Sequence, residues 1–268
     1  MKIIRFAKEK PHIMSAFSYE TISEGDIKIR RCVVKPESEY MEVAKDFLQK
    51  LMKEFARLSM NCYLPKYHAC SMPHYYSERR LDSIVLPAIS KICKGVVLTE
   101  YHVERRDKTT GELIGNGHGR ADYWCIFRGY SFIIEMKGSL DRYDCDAVRQ
   151  NSIVNRWGKM IQQLESSKLD CKESTERTKG TIRLGLHFVS SYAPAEPTKE
   201  SIESYRSNID DYMDAFHTRI HNEYHSAVSE PTYAATWLIP DRIIKAKDGY
   251  AGRTYPGVML LAKVFKAI

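Results

Sequence analysis

The chain has 268 residues, 43% of them hydrophobic, and a formal net charge of +7, which suits one large domain or a domain with an attached subdomain and is compatible with a polyanionic partner. No run of about 18 apolar residues occurs, which excludes a membrane-spanning helix, and the opening MKIIRFAKEK lacks the apolar stretch of a secretion signal, so a cytoplasmic protein is expected. The seven cysteines are odd in number and scattered with no CxxC pair, which fits reduced thiols rather than a disulfide framework.

In chain order, residues 1–8 and 26–35 alternate as short strands, with a turn at Glu24-Gly25-Asp26. After Pro36, the spacing of Met41, Ala44, Phe47, Leu48, Leu51, Phe55 and Leu58 predicts an amphipathic helix, with Ser38 as its N-cap. Residues 61–75 form an irregular connection containing Pro65 and Pro73. A second helix is predicted from Ser77 to Cys93, with Leu81, Ile84, Val85, Ala88 and Ile89 inward and Pro87 kinking or dividing it. A strand follows from Val96 to Arg105, then a loop at Asp107–Gly111 and two strands around Arg128-Gly129. A helix is expected from Asp144 to Lys168, with Val148, Ile153, Trp157, Met160, Ile161 and Leu164 inward. A buried strand starts at Thr181, a polar-faced helix covers Lys199–Tyr224, and further strands start at Thr232 and Val258. The order helix, three strands, helix, strand predicts an α/β fold: a mixed sheet with helices on its faces.

The richest stretch is GRADYWCIFRGYSFIIEMKGS, residues 119–139. A tight turn at Arg128-Gly129 pairs Phe127 with Tyr130 and, outward along the hairpin, Asp122 with Glu135. Side chains alternate faces, so Lys137 shares the face of Glu135. Tyr123, Cys125, Phe127, Phe132, Ile134 and Met136 form one apolar face. Trp124, Ile126 and Ile133 make the other face apolar too, until it ends in Arg120, Asp122, Glu135 and Lys137. Directly opposed residues have Cβ atoms roughly 5 Å apart, and like charges there destabilise the pair. Two carboxylates forced together beside an ammonium group point to a site for a hard divalent cation. The competing reading is a surface ion-pair cluster, Asp122 with Lys137 and Arg120 with Glu135.

An Asp opening the second strand and E-x-K in the third resemble the PD-(D/E)XK nuclease superfamily. That resemblance covers residues 75–192 and rests on Asp122, Glu135 and Lys137; Ala121 stands where the motif has its Pro. It implies a restriction-endonuclease-like core over residues 75–268, with C-terminal elaboration, and an N-terminal extension over 1–74. It also implies Mg²⁺ or Mn²⁺ held by Asp122, Glu135 and the Met136 carbonyl, with Lys137 orienting water and stabilising charge on phosphorus. A further acidic residue is expected on the preceding helix: Glu78, with Asp82 and Glu100 as rivals. A Gln on the following helix is expected at Gln163 or Gln162. Arg120, Arg128, Arg142, Arg149, Arg156 and Lys159 are the candidates for DNA phosphates. Tyr75, Tyr76 and Tyr143 are the candidates for base stacking.

The resemblance implies a metal-dependent deoxyribonuclease acting in restriction or anti-phage defence, as a homodimer or with a helicase or ATPase partner. A repair or recombination nuclease is the alternative, as is a non-catalytic nucleic-acid-binding or assembly subunit. Cys62, His68, Cys70 and His74 have zinc-ligand chemistry, but their spacing matches no common finger. There is no GxxxxGK[ST] and no GxSxG, so neither a P-loop NTPase nor a serine hydrolase of that type is supported.

Overall fold

The computed structural model describes residues 17–64, 69–70, 78–107, 110–143, 150–168, 178–194, 199–225, 229–244 and 253–265. The elements are β1 (Tyr19–Glu24), β2 (Ile27–Cys32), α1 (Glu39–Met60), β3 (Tyr63–Leu64), β4 (Ala69–Cys70), α2 (Glu78–Cys93), β5 (Val97–Arg106), β6 (Leu113–Phe127) and β7 (Tyr130–Arg142). They continue with α3 (Gln150–Ser166), β8 (Ser167–Lys168), β9 (Thr181–Pro194), α4 (Lys199–Ser207), α5 (Ile209–Tyr224), β10 (Tyr233–Leu238), α6 (Asp241–Ile244) and β11 (Arg253–Phe265). The strand expected at residues 1–8 lies outside the described residues, as do Val148, Arg149, His68, His74, Tyr75 and Tyr76.

Nine strands form one sheet in the order β1-β2-β10-β11-β9-β7-β6-β5-β8. Every pairing in it is antiparallel except that of β7 with β9, so the sheet is mixed and the α/β class holds. β3 and β4 form a separate two-stranded ribbon. The expected turn lies between β1 and β2, at Gly25 (φ +57°), and β2 joins the main sheet through β10.

Helices cover both faces. α1 and α2 lie over the face carrying Phe132, Ile134, Met136 and Phe188; Phe47 stacks on Phe132 at 4.7 Å and Phe55 on Phe188 at 4.8 Å. α3 lies over the opposite face, where a Cβ on Gly185 would meet Met160 Cε at 2.7 Å. α5 packs beside α3, its Tyr224 hydroxyl donating to the Val154 carbonyl at 2.8 Å. The inward residues expected on the described parts of the second and third helices are all buried. No described helix is long and apolar enough to cross a membrane.

Four details depart from the expectations. β1 arises in Tyr19–Glu24, whose side chains are almost all exposed, so no buried alternation marks it. Ser38 takes the extended N-cap backbone and its carbonyl accepts from Glu42 N–H at 3.0 Å, yet its hydroxyl makes no cap bond. Pro87 neither ends nor divides α2; buried Val85, Ala88 and Ile89 hold the helix to the core around it, so packing outweighs the missing donor. The helix expected over Lys199–Tyr224 is two helices, parted at Asn208, whose backbone (φ −106°, ψ 18°) leaves the helical region and whose side chain donates to the Ser204 carbonyl at 2.8 Å.

Candidate active site at the open end of the β6–β7 hairpin

The hairpin turns at Arg128 (φ +49°) and Gly129 (φ +82°), the left-handed pair that matches strand twist in a two-residue loop. Its ladder runs from Phe127–Tyr130 to Tyr123–Ile134 in the expected register and stops there. Beyond that point β6 continues along β5, while β7 continues along β9 as far as the Arg142–Tyr192 pair. A notch opens between the two strands with Asp122 at its apex. The Met136 N–H faces this opening and needs an acceptor. Oδ2 of Asp122 supplies it, at 2.6 Å.

That bond brings the expected trio together. Glu135 is 1% exposed. Its ionised form is opposed by burial and by the neighbouring Asp122, which push the carboxyl up to about 7, while Arg105 and Lys137 pull it back down. Lys137 Nζ donates to the Met136 carbonyl at 3.0 Å. Asp122, Met136 and Lys137 thus meet through the backbone of a single residue.

The ion pairs differ from the surface cluster considered above. Glu135 pairs with Arg105 (Nη2–Oε1, 3.0 Å), and Arg120 pairs with Glu100 (3.3 Å). Arg105 also donates to the carbonyls of Gln163 at 2.8 Å and Arg120 at 3.0 Å. Beneath Lys137, its ladder partner His187 is fully buried and shares a 2.8 Å hydrogen bond between Nε2 and Ser139 Oγ. His187 stacks against Trp157 at 6.3 Å. Burial, with Arg156 and Lys137 beside it, lowers its pKa to about 3. A neutral imidazole therefore lies under the lysine.

The remaining candidates fall at varied distances. Asp82 accepts a hydrogen bond from the Tyr123 hydroxyl, which ties α2 to the strand carrying Asp122. Glu100 stands across β6 from Asp122 with a left-handed backbone (φ +52°), a strained geometry for a non-glycine residue, and its carboxylate points to solvent. Glu78 opens α2. Gln162 is exposed, whereas Gln163 lies next to Arg105, with Oε1 buried and lacking a hydrogen-bond partner.

Among the basic candidates, Arg156 and Lys159 are exposed on α3, and Arg156 donates to the carbonyl of Gly138, one residue past Lys137. Arg120 is exposed beside the notch. Arg142 ends β7 beyond the site. Arg128 stands apart from the other candidates: it sits at the hairpin's turn, paired with Asp46 at 3.3 Å, and from Tyr130, where β7 begins, Glu135 lies a further five residues and roughly 17 Å along the strand. Its closeness in sequence does not carry over into space, because the hairpin puts turn and notch at opposite ends. Tyr143 packs on Tyr205, ring centroids 4.9 Å apart, rather than at the notch.

Arg105, Ser139 and His187 were not anticipated. For His187 a signal existed, a histidine inside the otherwise apolar run of β9; for Arg105 there was none. Among the described residues, no three His, Cys, Asp or Glu side chains converge as a metal site. A cation at the notch would draw on two carboxylates and the Met136 carbonyl, an all-oxygen set that suits Mg²⁺ or Mn²⁺. Comparisons with protein-family models, curated proteins and solved structures found no match for the chain.

Proposed function

We propose that the chain is a divalent-metal-dependent nuclease that hydrolyses DNA phosphodiester bonds, built on a restriction-endonuclease-like core within the mixed sheet. The observation that carries this reading is the Asp122–Met136 N–H bond, which holds one carboxylate against the strand bearing the other. A buried carboxylate and a half-buried one in mutual repulsion, with a backbone carbonyl and a lysine beside them, form a donor set that a hard dication relieves. Such an ion, when bound, lowers the pKa of a coordinated water and offsets negative charge on the phosphoryl group.

The chain's own groups divide the remaining work. Asp122 and Glu135 hold the ion. Lys137, hinged on the Met136 carbonyl, offers an ammonium donor to water or to a phosphoryl oxygen. Neutral His187 keeps a second positive charge out from under that lysine. Arg120, Arg156 and Lys159 supply exposed cations around the notch for a polyanionic backbone. The reading extends to a cytoplasmic endonuclease of restriction or anti-phage defence, acting as a dimer or with an ATPase partner.

One observation favours a second reading. Arg105 already neutralises Glu135, as suits a nucleic-acid-binding or assembly subunit that keeps the fold without catalysis. Cleavage of supercoiled plasmid, linear duplex and single-stranded DNA with Mg²⁺ or Mn²⁺ separates the two. Activity lost in the Glu135→Ala/Lys137→Ala double variant supports the nuclease, and the preferred substrate distinguishes internal from end-dependent cleavage. Equal activity in the double variant refutes it.

A further inference from the structure

Arg105 reaches Glu135 only because position 119 has no side chain: a Cβ on Gly119 would lie 2.1 Å from Arg105 Nε and 2.6 Å from its Cγ. The guanidinium is also held from other directions. Nη1 donates to the Gln163 carbonyl at 2.8 Å and to the Ser166 and Ser167 hydroxyls at 3.4 Å. Nη2 donates to the Arg120 carbonyl at 3.0 Å. The same Nη2 meets Oε1 of Glu135 at 3.0 Å. Arg105 can therefore leave the carboxylate and still be hydrogen-bonded, which lowers the cost of letting go.

At the notch, the charges of Asp122 and Glu135 are matched by those of Arg105 and Lys137. A dication arriving between the carboxylates meets a cation already on one of them. We propose that Arg105 is an internal latch that competes with the divalent ion for Glu135. The site loads only when the guanidinium shifts onto its carbonyl and hydroxyl partners. Because those partners belong to β6, to the end of α3 and to the start of β8, movement of that seam sets the metal concentration at which the site fills. The inference rests on the metal-site reading above.

A merely structural arginine, once removed, weakens metal binding by loosening the site. A latch, once removed, strengthens it. The test is a Mn²⁺ titration of the full chain at pH 8.5, with free Mn²⁺ counted by electron paramagnetic resonance. Wild type, Arg105→Gln, Gly119→Ala and Glu135→Gln are compared. Gly119 has a backbone outside the left-handed region, so alanine fits there once Arg105 moves aside. That variant keeps every charged group and still displaces the guanidinium, so the test survives if Arg105→Gln fails to fold.

The expected result is half-saturation at Mn²⁺ concentrations about tenfold or more lower in Arg105→Gln, a shift in the same direction in Gly119→Ala, and loss of binding in Glu135→Gln. Wild-type binding that Glu135→Gln abolishes but neither Arg105→Gln nor Gly119→Ala tightens overturns the latch and leaves the metal site standing. No binding that depends on Glu135 in any variant overturns both.

Discussion

Glu135 and Asp141 lie on one face of β7, six residues apart, and each is 1% exposed. Asp141 is met by a neutral donor, the Tyr212 hydroxyl, inside a network in which Ser191 bonds Tyr212 at 3.2 Å and Tyr205 bonds Ser191 at 3.0 Å. Burial and the Asp141 charge raise the Tyr212 pKa well above the usual phenol value, so this donor keeps its proton. Glu135 is met by another carboxylate and by an arginine. One buried acid takes a hydrogen bond from a neutral hydroxyl; the other faces charges, one of them a cation that a stronger cation can replace. Burial alone thus does not distinguish the two acids; the like charge held close to Glu135 does.

The two ends of β7 should therefore separate under mutation. The largest effect is expected at the notch: Asp122→Asn or Glu135→Gln lowers metal-dependent cleavage more than about a hundredfold, with the thermal midpoint little changed. Activity comparable to wild type in either variant would show that the two carboxylates at the notch do not hold the catalytic ion. Asp141→Ala should behave in the opposite way. It leaves the Tyr212 hydroxyl without its buried acceptor and costs about 1–3 kcal/mol in denaturant unfolding, while Mn²⁺ affinity stays near wild type.

The pH dependence sharpens the contrast. The Glu135 carboxyl in the folded chain titrates near 7, above its unfolded value of about 4.3. Its contribution to stability is full below the unfolded value and is lost as pH rises through 7. Cation affinity runs the other way, since protons compete for the same oxygens, and Mn²⁺ half-saturation should fall between about pH 6 and 8. His187 provides the acid limb. Its folded pKa near 3 lies below an unfolded value of about 6.5. The stability tied to its neutral form is complete above 6.5 and declines as pH falls toward 3, by up to about 1.4 kcal/mol per pH unit. His187→Asn should flatten that limb in urea unfolding measured across pH.

Much of this geometry was legible in the chain. Arg128-Gly129 sets the hairpin register because a two-residue turn leaves little choice of pairing, and alternation then places Glu135 and Lys137 on one face. What was hidden depends on neighbours distant in sequence. Arg105 becomes part of the site through β5–β6 pairing and the missing Cβ at Gly119. The departure of β6 from β7 at Asp122 has no local signature, and neither does the left-handed Glu100 beside it. Arg128 makes the same point in reverse: it is near Glu135 in sequence, yet the hairpin puts it at the end away from the notch.

The most direct test of the central claim is a crystal structure with Mn²⁺ soaked in, read by anomalous scattering. The expected result is a peak bounded by Asp122, Glu135 and the Met136 carbonyl, with the Arg105 guanidinium drawn off Glu135. Crystals saturated with Mn²⁺ that show no peak there, with Arg105 still on Glu135, would contradict it.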